Sequence, residues 1–109
     1  MKTVSYDGKK WKGEVVFYDP MTMQQEAAWE RAMADFRKAI DGGLGISSFN
    51  LAALPGILEC VSEWKLTDFP ERITITNFPA HPRKERANLI SWLVTQIAEI
   101  YKSDDDPNE

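Results

Sequence analysis

The 109-residue chain has the length of one domain, and its net charge of −4 with a pI near 5.0 opposes the basic face that a broad nucleic-acid footprint needs. Hydrophobic residues make up 43% and charged residues 28%, ordinary globular usage that favours neither wholesale disorder nor a fibrous class. Cys60 is the only cysteine, which excludes an intrachain disulfide and fits a reducing compartment. The first residues lack the apolar core of a signal peptide, and no run nears the roughly 18 apolar residues of a spanning helix, so a soluble protein away from membranes is expected.

Residues 3–6 and 11–18 are β-prone and flank Asp7-Gly8-Lys9-Lys10, whose Asp-Gly pair is a strong short-range hairpin signal. In the second run Trp11, Val15 and Phe17 share one face and Val16 and Tyr18 the other, so helices or another subunit must cover at least one of them. Asp19-Pro20 stops the strand, and Thr22 followed three positions later by Gln25 has the spacing of a capping box. A first helix is predicted from about 22 to 41, with Trp29, Ala32, Met33, Phe36 and Ile40 as its core stripe. Glu26, Glu30, Asp35, Arg37 and Lys38 fill the opposite face, and Asp41-Gly42-Gly43-Leu44-Gly45 closes the helix with residues that tolerate left-handed backbone.

Ser47-Ser48-Phe49-Asn50 is the start signal of a second helical region, with a break or kink expected near Leu54-Pro55 because a proline that deep removes a backbone donor. Beyond it Ile57, Leu58, Val61 and Trp64 recur at helical spacing, which predicts helix to about Leu66. Asp68-Phe69-Pro70 marks a turn, 72–76 reads as at most a short strand, and 77–82, with two prolines, as an ordered loop. Pro82 suits the first position of a last helix, in which Leu89, Ile90, Trp92, Leu93, Ile97, Ile100 and Tyr101 form a wide stripe to about Lys102. The expected organisation is a single globular domain over 1–102 and an acidic flexible tail over 103–109. Its fold class is α+β, mainly α, with an N-terminal β-hairpin packed against three or four helices.

Few residues carry chemistry. His81 is the lone histidine, and neither Cys60 nor any carboxylate pair stands at a metal-ligand spacing from it, so helix capping or a surface loop is its reading. Cys60, inside an apolar run, reads as a small buried hydrophobe rather than a nucleophile. Glu26 with Glu30 and Glu59 with Glu63 are one helical turn apart, but solvated helix faces explain both pairs better than general acid and base. The Gly42–Gly45 stretch lacks the Lys-Ser/Thr ending of a phosphate loop. Met21 and Met23 read as core or staple residues, with an adaptable binding surface as the alternative. Trp11, Trp64, Phe69, Phe78 and Trp92 read mostly as core anchors, some of which can instead line a groove for a partner's helix.

Arg83, Lys84 and Arg86 crowd the beginning of the last helix and Asp104, Asp105 and Asp106 follow its end, the reverse of what the helix macrodipole favours. Either these charges are solvated, or they meet partners of opposite sign, such as another copy of the chain arranged head to tail.

Several segments together resemble a known family. Gly13-Glu14-Val15-Val16 after Trp11, Pro20-Met21-Thr22 and Leu54-Pro55-Gly56-Ile57-Leu58-Glu59-Cys60-Val61 open the pattern. Trp64-Lys65-Leu66, Asn77-Phe78-Pro79, Pro82-Arg83 and Leu89-Ile90-Ser91-Trp92-Leu93 complete it. In this combination, spread over nearly the whole chain, the sequence resembles the small tail assembly chaperones of long-tailed, siphovirus-like bacteriophages and prophages. The resemblance implies a non-enzymatic protein without cofactor or metal. It implies binding to the long, mostly helical tape measure protein, which is kept soluble until tail tube subunits polymerise around it, and contact with the tail tube protein and other copies of the chain. It further implies a location in the cytoplasm of the bacterial host and absence from the mature virion. Arg83, Lys84 and Arg86 are the expected partner-binding residues. Two other classes share the size and composition: a minor virion structural protein at the head-tail connection or in the tail, and a small phage-encoded adaptor or regulator.

Overall fold

The computed structural model describes residues 1–8, 11–67, 77–80 and 83–104, with backbone alone at 46, 47, 49, 80, 83–85 and 104. Its elements in chain order are strands β1 (Lys2–Asp7) and β2 (Lys12–Phe17), helices α1 (Met23–Asp41) and α2 (Ile46–Glu59), strand β3 (Val61–Leu66), a short 3-10 turn (Phe78–Ala80) and helix α3 (Arg83–Asp104). The three strands form one antiparallel sheet in the order β1-β2-β3, and the described chain is mainly helical.

The expected hairpin forms with Asp7 opposite Lys12, and the Gly8 amide donates to the Trp11 carbonyl across the turn at 3.1 Å. Alternation sorts its side chains as period-two geometry requires. Thr3, Ser5 and Asp7 point outward to solvent while Tyr6, Val15 and Phe17 enter the core. Val16 is the exception, buried although it shares the outward face of the sheet with Thr3 and Glu63.

The second half of the expected α2 is a strand. The helix ends at Glu59, Cys60 turns the chain, and Val61–Leu66 pairs antiparallel with β2, with an irregular register between Val16 and Phe17. The Tyr18 amide donates to the Cys60 carbonyl at 3.1 Å, so pairing begins as soon as the helix stops. Spacing alone misassigns this segment because Val61, Trp64 and Leu66 mix helical and alternating intervals. The open edge of β2, whose donors and acceptors must be satisfied once its side chains are buried, decides the outcome.

Nor does α2 break at Leu54-Pro55: Pro55 lies inside a continuous helix. The amide it lacks would have met the Leu51 carbonyl, and both residues stand on the exposed side of the helix, where water can take that carbonyl. The next residue has a packing reason to be glycine. A Cβ on Gly56 would lie 2.3 Å from the Ala28 carbonyl oxygen and 2.6 Å from the Ala32 Cβ. Backbone of α2 therefore rests directly on α1, and Gly56, Ala28 and Ala32 set the spacing of the two helices.

At the start of α1 the Thr22 amide donates to Gln25 Oε1 at 2.9 Å, the expected capping-box contact, which leaves Gln25 buried but satisfied. At its end the Gly43 amide donates to the Ile40 carbonyl and the Leu44 amide to the Ala39 carbonyl, each at 3.0 Å. This is a Schellman closure with Gly43 at φ +75°, the left-handed backbone the glycine run implied. Trp29 and Ala32 are buried as expected, whereas Ile40 is exposed and Ala39 takes the inward place. The methionines divide, Met21 entering the core and Met23 standing in solvent.

Helix α3 supplies the lid of the core. Leu89, Ile90, Leu93, Ile97 and Ile100 are buried, and the Trp92 ring lies 4.9 Å from that of Tyr6 and 5.8 Å from that of Phe17. Trp64 and Trp92 are half-buried beside the core rather than enclosed in it. The Tyr101 hydroxyl donates to Glu30 Oε2 at 2.6 Å, tying the end of α3 to α1. The helix runs through Ser103 and Asp104, the first two residues of the expected tail, and 105–109 fall outside the described residues. The turn at Asp68-Phe69-Pro70, the short strand over 72–76, and His81 and Pro82 also lie outside them.

Gly56→Ala tests the helix contact. Better helix propensity would favour alanine by about 1 kcal/mol, but the added methyl meets a main-chain oxygen that no side-chain rotation can move. Overpacking of this kind costs about 1–3 kcal/mol, so the expected net result is a lower urea midpoint with an unchanged slope.

Candidate functional site

The three basic residues expected to meet a partner stand at the beginning of α3, and Arg86 alone of them has a described side chain. Arg83 and Lys84 occupy the first turn of the helix, and their side chains are outside the description. Arg86, one turn further on, is half-buried in the wall of a hollow of about 130 Å³, between the N-terminal half of α2 and the Phe78-Pro79 turn. Its Nε is enclosed and has no hydrogen-bond partner.

Leu51, Leu54, Phe78, Pro79 and Ile90 make the apolar walls of this hollow. A second depression of about 350 Å³ adjoins it, shares Asn50 and Ile90 with it, and continues past Ala87, Val94 and Thr95 towards Phe36 of α1. Together they form a trough where α1, α2 and α3 meet. No aspartate or glutamate lines either part among the described residues, although acidic residues outnumber basic ones by 17 to 13 in the chain. Leu51 at its rim is 56% exposed, and Thr95 spends its hydroxyl proton on the Ser91 carbonyl at 3.0 Å.

Phe78 is one of the aromatics that the sequence offers as lining a partner groove, whereas Leu51 and Ile90 are not among the site residues expected from it. One signal was there: Leu51-Ala52-Ala53-Leu54 is apolar on every side of its helix, and such a helix has to hide a second face.

A larger groove of about 430 Å³ runs along the other side of the α1–α2 pair. Its small residues are already explained by the close helix contact at Gly56, and its rim carries Arg31, Asp35 and Glu59, the last receiving a hydrogen bond from Gln24 at 2.9 Å.

The groups considered for catalysis stay apart. Glu59 ends α2 and Glu63 lies on the outward face of β3, so the one-turn spacing expected of them does not exist. Glu30 is occupied by the Tyr101 hydroxyl, and Glu26 sits in the first turn of α1. Among the described residues no three of His, Cys, Asp and Glu gather as metal ligands would, and no helix is long and apolar enough to cross a membrane.

Cys60 is buried, with its Sγ 3.7 Å from the Gln25 carbonyl. Burial, helped by the neighbouring Glu59 carboxylate, pushes its thiol up to about 12. It is therefore protonated across the physiological range and a poor nucleophile.

Comparison with protein-family models, with curated proteins and with solved structures found no match to this chain.

The Cys60 thiol gives a pH prediction. Because its folded pKa is raised, its contribution to stability is complete below the unfolded value near 9 and is lost as pH climbs through about 12. Between pH 9 and 12 the native chain should lose stability faster than a Cys60→Ala variant. In urea titrations at several pH values, parallel loss in the two proteins would show that the thiol does not carry the effect.

Proposed function

We propose that this protein is a non-enzymatic tail assembly chaperone of a long-tailed phage or prophage, which binds the tape measure protein and keeps it soluble while the tail is built. The observation that carries the reading is the trough between α1, α2 and α3, concave, mainly apolar and free of carboxylates among its described residues on an otherwise acidic domain. An exposed apolar concavity on a small domain is the kind of surface that receives an amphipathic helix. The sequence resemblance supplies the identity of that helix: a tape measure protein presents long helical stripes, and many copies of a small acidic domain can cover them while turning charge outward. Avidity along one long partner allows each contact to be weak. Tail tube protein and further copies of the chain are secondary partners in this reading, and the bacterial cytoplasm is where it acts.

The test is co-expression with the long helical protein encoded beside this gene. Its soluble fraction should rise and the two chains should co-elute. Continued insolubility of the long protein, with this chain folded, would refute the reading, while retention of this chain in purified particles would favour a virion component.

Charge reversal at Arg83, Lys84 and Arg86 together should weaken partner binding at low salt and matter less as salt is raised. Binding that is unchanged by the reversal at low salt would remove these three residues from the interface.

A further inference from the structure

The trough has two parts of different character. The smaller, at about 130 Å³, is well below the roughly 300–1,000 Å³ of a pocket that encloses a whole small molecule. It is suited to one bulky side chain entering between Leu51, Leu54 and Phe78. The larger part continues from it along α3 and is bounded by Phe36 and Val94. A hole beside an elongated shelf matches a helix that plants one anchor residue and rests the next turn alongside.

Charge selects among such helices. Arg86 reaches the same hollow with an enclosed Nε that lacks an acceptor, and no described carboxylate lines either part of the trough. The guanidinium is half-buried in an apolar wall with no described carboxylate in the lining, which favours a carboxylate arriving with the anchor at the part of the guanidinium still open to the hollow, because the pair forms where water is partly excluded. We propose that the trough is a recognition site for an amphipathic helix that carries a leucine or phenylalanine anchor and, one turn away, an aspartate or glutamate that pairs with Arg86. For the identity of the natural partner this rests on the chaperone reading; for the chemistry of the site it does not.

The probe is a synthetic helical peptide of about 18 residues, five turns, with leucines on one face and a glutamate one turn from the central leucine. A control peptide has lysine in place of that glutamate. Binding to the full chain is followed by amide chemical shifts. The glutamate peptide should move the resonances of Leu51, Arg86 and Ile90, and the lysine peptide should bind about tenfold more weakly, the size of one charge-assisted hydrogen bond.

Arg86→Gln should abolish the difference between the peptides, and Leu51→Glu, at an exposed rim position that the core does not depend on, should weaken both. Circular dichroism confirms that each variant is folded. Equal affinity for the two peptides, or shifts elsewhere on the surface, overturns the proposal. So does a chain that is dimeric, dissociates on Leu51→Glu and takes up no peptide, since a second copy then fills the trough. Selective peptide binding without rescue of the tape measure protein would uphold the site and refute the chaperone, whereas rescue that survives both variants would do the reverse.

Discussion

The central strand constrains everything around it. Val15 and Phe17 of β2 are fully enclosed, so neither edge of the strand can rely on water for its backbone groups. β1 satisfies one edge through a tight local turn. The other edge is met by residues from the far side of a helical hairpin, and this draws Val61–Leu66 out of the helix that its spacing suggests. Once β3 is in place, α2 has to end at Glu59, and the turn at Cys60 fixes where α2 crosses the sheet. The position of the trough follows from that sequence of requirements.

Local signals in the chain were reliable wherever a local cause acts. The Asp-Gly turn, the Thr22 and Gln25 cap and the glycine closure of α1 are each settled within a few residues, and the structure has all three. The buried stripe of α3 was legible for the same reason, since Leu89, Leu93, Ile97 and Ile100 keep helical spacing. Long-range causes were not legible. Whether Pro55 breaks a helix depends on which side of it faces water, and whether Val61 is helical depends on a strand far away in the chain. Ile40 and Ala39 exchanged places because a one-residue rotation of the stripe cannot be fixed without its partner helix.

The same distinction holds for the site. Arg86 was visible as one of three basic residues, but its place in the hollow arises only from tertiary structure, where it meets Phe78, Pro79 and α2. The walls opposite it come from α2 and the 3-10 turn, elements separated in the chain by residues 60–77, and no pattern within either one announces that they meet. A surface made this way is largely preformed by the packing of three helices. A partner that fits it loses less ordering entropy than one that must first shape its own site.

One buried atom has a practical side. Since the lone thiol is buried against α1 and its pKa is pushed up to about 12, the native protein should behave towards alkylating reagents at neutral pH as though it contained no cysteine. A Leu51→Cys substitution at the exposed rim would then present the sole reactive thiolate, and a fluorophore or spin label coupled there would report directly on whatever enters the trough.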